Sequence, residues 1–165
     1  MTVSAVDVAA YILDQKGPMT AMKLQKLVYY GQAWSLVWDD VPLFQDPIQA
    51  WANGPVVYAL FKFHKGKYRV SVRDFEHGDL AKLNKDQVET LQAVLDSYGG
   101  MSAAQLSELT HAEKPWKAAR GSVEDGQKSN TTISHASMKE YYTDLSESED
   151  AVHDVEDINF PAWAR

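Results

Sequence analysis

The run Lys23-Leu24-Gln25-Lys26-Leu27-Val28-Tyr29-Tyr30-Gly31-Gln32-Ala33-Trp34 leaves the chain few ways to fold. Leu24, Leu27, Val28, Gly31, Trp34 and Trp38 recur at three- and four-residue steps, which places them on one face of a helix. Tyr29, Tyr30, Ala33, Leu36 and Val37 carry apolar surface round most of the remaining cylinder. A helix apolar nearly all round belongs at the centre of a domain. Lys23, Lys26 and Tyr30 align as a narrower stripe that mixes charge with an aromatic ring. Two readings are open for it: a surface that meets a partner, or two solvated lysines with Tyr30 at the edge of the core.

A chain of 165 residues is long enough for one domain with a sizeable core. It has no cysteine, which removes disulfides, thiol nucleophiles and cysteine-zinc sites. No apolar run approaches a membrane span, and the N-terminus lacks the order of a signal peptide, so a cytoplasmic protein is expected. Of the net charge of -7, six negatives fall between Ser146 and Asp157, leaving -1 for the rest. Neither part offers the basic field of a sequence-independent nucleic-acid binder. The expected organisation is a mainly α, single-domain helical bundle over residues 1–145, with a small β element, followed by an acidic tail over 146–165.

The punctuation of the chain supports this. Ser4 caps a first helix, with Asp7 three positions on, and Gly17-Pro18 ends it. Thr20 caps the central helix, which stops near Asp39-Asp40. Pro47 makes Ile48–Trp51 an extended or edge segment. Asn53-Gly54-Pro55 is a turn, and Pro55 is expected to open a helix carrying Val57, Leu60, Phe61 and His64. Tyr68 to Phe75 alternates weakly and is expected to pair with Ile48–Trp51. Asn84 with Gln87, and Ser102 with Gln105, form capping boxes for two further helices. The second of these breaks near Pro115, and Trp116 behind it is expected to plug the core. Residues 121–132 read as a loop, and Ser134 starts a last helix with Met138, Tyr141, Tyr142 and Leu145 inward. Beyond it the acidic run ends in Ile158-Asn159-Phe160-Pro161-Ala162-Trp163. That cluster could dock on another chain, dock on its own domain, or be an appended scar.

No catalytic constellation stands out. The histidines at 64, 77, 111, 135 and 153 make no metal-binding pattern, and neither a phosphate-cradling loop nor a nucleophile elbow is present. His111 and Glu113 are the one pair on which a hydrolase reading could rest. Otherwise no enzyme activity, metal or cofactor is expected.

Lys23 to Tyr30, then Pro42-Leu43-Phe44, then Ala50-Trp51-x-x-Gly54-Pro55-Val56-Val57, resembles the signature of the Panacea domain, the family of SocA-like and phage GepA-like proteins. The likeness continues through Tyr98-Gly99, Leu106 to His111, Pro115-Trp116, Ile133 and Tyr141-Tyr142, and spans roughly residues 4 to 145. It implies an antitoxin that neutralises a cognate toxin by direct protein–protein binding. It also implies, for the SocA-like branch, a proteolytic adaptor that hands a bound toxin to a ClpXP-type protease. A phage-associated accessory protein is the remaining alternative. Some relatives carry a DNA-binding domain; no segment here is spare for one, so no nucleic-acid or membrane partner is expected. The resemblance offers no catalytic residues. Lys23, Lys26, Tyr30, Trp51, Phe160 and Trp163 are the candidate partner contacts, and Leu24, Leu27, Gly54, Pro55 and Trp116 are expected to serve structure.

Overall fold

A helix of 18 residues, α2 (Ala21–Trp38), has 14 of them buried and therefore cannot lie on a surface. In the computed structural model, which describes residues 2–148, it runs through the middle of the domain for about 27 Å. Packed round it are α1 (Ala5–Lys16), α4 (Lys85–Tyr98), α5 (Ala103–Ala112) and α7 (His135–Ser148). The Thr20 hydroxyl caps α2 by accepting from the Lys23 N–H. Ser4, Asn84 and Ser102 cap α1, α4 and α5, each in a full capping box, so these helix starts are set by residues within one turn. The fold is mainly α, as expected, with two small antiparallel sheets of two strands each.

The strands pair differently from the expectation. The segment β2 (Ile48–Trp51) pairs with its sequence neighbour β3 (Gly54–Val57), with Trp51 opposite Gly54. Arg69–Val70, β4, pairs instead with β1 (Met19–Thr20), and Val72–Phe75 is a 3-10 turn. A tight hairpin closes a shorter loop than a pairing across twenty residues, and so takes β2 first. On its far side β2 meets residues 131–133: Ala50 N–H donates to Thr131 O and Ile133 N–H to Ile48 O.

Pro55 lies inside β3, not at the start of a helix; α3 begins three residues later (Tyr58–His64). The reason is the pleat. Alternate residues point their backbone groups the same way. The Val57 N–H faces away from β2, toward Gln25. Pro55, two residues earlier, thus places its missing N–H on the same outer edge, where no ladder bond is lost. At the other end, Glu113 divides α5 from α6 (Lys114–Arg120), with Pro115 in the first turn of α6 and Trp116 buried as expected. The last helix runs to Ser148, three residues past the boundary drawn at 145. The remainder of the acidic tail, including Phe160 and Trp163, lies outside the described residues.

Gly54 is the tightest point of the hairpin. Its φ is +119°, and a Cβ there would meet Lys26 Cε at 2.5 Å and Thr110 Oγ1 at 3.0 Å. Gly66 shares a positive φ of +82° but has open space around it. Gly66→Ala is therefore expected to cost about 1 kcal/mol, the backbone penalty alone. Gly54→Ala should cost about 3 kcal/mol, backbone strain plus overpacking. Urea unfolding of the two variants measures both.

Candidate functional site

The polar side chains of α2 define what surrounds it. Gln25 acts as a substitute strand for β3: its Oε1 accepts from the Val57 N–H at 2.8 Å and its Nε2 donates to Val57 O at 3.2 Å. The same Nε2 stands 2.9 Å from His64 Nε2. An amide nitrogen only donates, so this ring nitrogen accepts and His64 is the neutral Nδ1–H tautomer. Burial lowers its pKa, in keeping with that form. Lys26 continues the substitute strand by donating from Nζ to Pro55 O at 3.2 Å. Burial brings its amine down to about 7. One turn and a half further on, Gln32 accepts from the Leu43 and Phe44 N–H groups and donates to Phe44 O. It thereby pins the Pro42-Leu43-Phe44 segment to the helix.

Within the stripe, Lys26 and Tyr30 are thus buried by other elements, while Lys23 is half-buried. Lys23 Nζ donates to Gly99 O at 2.7 Å, a cation at the C-terminal end of α4. Lys26 lies beneath the Gly54–Pro55 turn, and Tyr30 is fully buried. The stripe points at carbonyls and a carboxylate of the chain itself, which is why its polar ends could be taken into the interior.

That carboxylate is Glu113. Tyr30 and Tyr142 each donate to its Oε1 at 2.7 Å, and Tyr29 donates to the Tyr142 oxygen at 3.0 Å. Tyr98 stacks on Tyr30 with ring centres 4.0 Å apart and accepts from Trp34 Nε1. The network joins α2, α4, α7 and the α5–α6 junction in the centre of the domain. Burial raises the Glu113 carboxyl to about 7, opposed by the two phenol hydrogen bonds. His111 is engaged elsewhere: its ring stacks on Trp116 at 4.1 Å, and Trp116 Nε1 donates to Trp51 O. The pair behind the hydrolase reading therefore has separate surroundings, with Glu113 enclosed by tyrosines.

A wide opening lies over the N-terminal end of α2. It is a groove of about 1000 Å³ between α2, the β2–β3 hairpin, α3, the Lys67–Tyr68 turn and residues 128–130. Trp51, Tyr58, Phe61, Tyr68 and Met22 supply its apolar surface. Tyr68 is 79% exposed, Tyr58 56% and Met22 37%, large values for side chains of this type. Trp51 is half-buried, its Nε1 donating to Gln49 Oε1, with Phe61 packed edge-on at 5.0 Å. Of the sequence-derived partner contacts, Trp51 and Lys26 line this groove, while Lys23 and Tyr30 do not. Of the residues expected to serve structure, Leu24, Leu27 and Trp116 lie in the core, and Gly54 and Pro55 lie in the hairpin. Sequence reasoning missed Tyr58 and Tyr68 as surface groups. The available signal was aromatics at 58, 61 and 68, too many for one face of a seven-residue helix and the turn after it.

Among the described residues, no group of three or more His, Asp or Glu side chains is placed to hold a metal ion, and no helix is long and apolar enough to cross a membrane. A family model described as "Antitoxin SocA-like, Panacea domain" matches residues 24–117, which takes in the central helix from Leu24 on, the hairpin, the groove residues from Gln25 to Tyr68, and Glu113. Antitoxin SocA of Caulobacter vibrioides (strain NA1000 / CB15N) is 33% identical over 131 residues, covering 70% of this chain and 69% of that protein. The chain belongs to the SocA-like Panacea family. No solved structure matches it.

The titration of Glu113 gives a test of the buried network. Its pKa is about 7 folded against 4.5 for an ordinary carboxyl. Its contribution to stability is therefore fully present below the unfolded value and is lost as pH rises through about 7. Glu113→Gln removes this dependence. The stability of the native chain relative to Glu113→Gln is expected to fall steadily between pH 4.5 and pH 8, as measured by denaturant unfolding at each pH.

Proposed function

We propose that this protein is the antitoxin of a toxin–antitoxin pair, and that it neutralises its cognate toxin by direct binding through the aromatic groove above the N-terminal end of α2. Membership of the family and the likeness to Antitoxin SocA support the role. The observation that carries the choice of surface is the exposure of Tyr58, Tyr68 and Met22 round one concavity. Water leaves such a surface readily, and tyrosine and tryptophan are the side chains that anchor protein interfaces. The floor beneath it is stiff, because Gln25 and Lys26 hold β3 by its backbone. A binding surface on a fixed floor loses little conformational entropy on association. Masking of the toxin is then steric, and the site of action is the cytoplasm, where a toxin would be made.

Co-expression with the product of the adjacent reading frame tests the role: growth arrest by that product should be relieved, and the two chains should co-elute in size-exclusion chromatography. Tyr58→Ala and Tyr68→Ala test the surface. Both side chains are exposed, so the fold should be unchanged by circular dichroism and thermal unfolding. Each should weaken toxin binding by about 10- to 100-fold, the usual loss for a removed aromatic anchor. Unchanged affinity in both variants would move the interface elsewhere on the domain.

A further inference from the structure

Outside the acidic run the chain has a net charge of -1, and among the described residues that line the groove there is no Asp or Glu. Lys26 lies in its floor, and Lys67 and Lys128 stand at its edge. Lys67 pairs with Asp74 and remains half exposed, while Lys128 is exposed. A concavity with aromatic walls, lysine edges and no acid is complementary to a segment that carries carboxylates beside large apolar side chains. The chain contains such a segment: Glu149, Asp150, Asp154, Glu156 and Asp157 precede Ile158, Phe160 and Trp163.

We propose that residues 149–163 of the same chain are a ligand of the groove, with Phe160 and Trp163 on its aromatic walls and the preceding carboxylates at Lys67 and Lys128. Nine residues, 149–157, separate the end of α7 from Ile158 and span up to about 30 Å when extended. A domain of this size has a radius of gyration of about 15 Å. The tether also compensates for a weak contact. A short linker gives an effective concentration on the order of 1 mM. A segment with a free affinity of only about 0.1 mM would then fill the groove about nine-tenths of the time. An external partner using the same groove would meet it open in about one molecule in ten, so its apparent affinity would fall about tenfold. The tail would act as a tethered competitor that sets a threshold for capture. The inference rests on the groove and the tail alone. Its test requires no toxin, so its failure leaves the antitoxin reading standing.

The test is zero-length carbodiimide cross-linking of the full chain, read by peptide mass spectrometry on a mixture of light and heavy isotope-labelled protein. Links from Lys67 or Lys128 to Glu149, Asp150, Asp154, Glu156 or Asp157 are expected within single molecules. They should fall about tenfold in the Phe160→Ala/Trp163→Ala double variant and also in Tyr68→Ala, and should weaken at high salt. Circular dichroism and thermal unfolding of the double variant, matched to the native chain, separate a lost contact from a lost fold. Links spread evenly to other exposed lysines such as Lys85 and Lys114 would overturn the proposal. So would links found only between light and heavy copies, which would mean exchange between molecules, and so would links unchanged in the double variant.

Discussion

Everything in this domain depends on how α2 disposes of its polar groups. A helix buried on nearly all sides cannot turn its charged and amide side chains to water, and each one left without a partner would cost about 1–3 kcal/mol. Here each has been given a backbone or carboxylate partner on another element. Gln25 and Lys26 hold β3, Gln32 holds the Leu43–Phe44 segment, and Lys23 caps the end of α4. Tyr30 holds the α5–α6 junction through Glu113. The helix is thus both the apolar centre of the core and a row of polar clamps that fix where its irregular neighbours lie. Apolar packing alone is non-directional and would leave those neighbours free to slide.

The consequence is a division between the two ends of α2. Near Tyr29, Tyr30 and Trp34 the surroundings are closed, with stacked and edge-on rings enclosing one carboxyl group. Toward Thr20 and Met22 the helix emerges into the groove, where the hairpin and α3 stand apart. The closed end resists rearrangement because its hydrogen bonds are mutually dependent: Tyr142 donates to Glu113 and accepts from Tyr29, so displacing its ring takes the acceptor from Tyr29 and one of two donors from Glu113. The open end inherits that rigidity through Gln25 and Lys26, which sit between the two regions on the same helix.

Much of this was legible in the residues. The cap at Ser4, the capping boxes at Asn84 and Ser102, the central position of α2 and the short β element could be read because each depends on side chains within a turn or two. Pro55 was misread because Pro fits both a helix start and an outward-facing strand position, and only the pairing of β2 with β3 distinguishes them. The stripe on α2 was misread for a related reason. Helical spacing shows that Lys23, Lys26 and Tyr30 share a direction, but what lies in that direction comes from residues 29, 76 and 83 positions away. The groove was visible only in part. Trp51 stood out beside its turn, whereas Tyr58 and Tyr68 declare themselves only when α3 is seen to bury Leu60 and His64 instead.

The clamp on β3 has a further meaning for how the surface can evolve. With Gln25 and Lys26 bonded to the outer backbone groups of Pro55 and Val57, and residues 131–133 bonded to the far side of β2, the hairpin offers no vacant backbone at these positions for a visiting strand to zip onto. Recognition by main-chain addition would be indifferent to most side chains and slow to change its target. Recognition by the groove, as proposed, would be written in side chains instead. Exchanging Tyr58, Phe61 or Tyr68 would rewrite which visitor fits while leaving every clamp of α2 in place, so the vocabulary of partners can drift without putting the fold at risk.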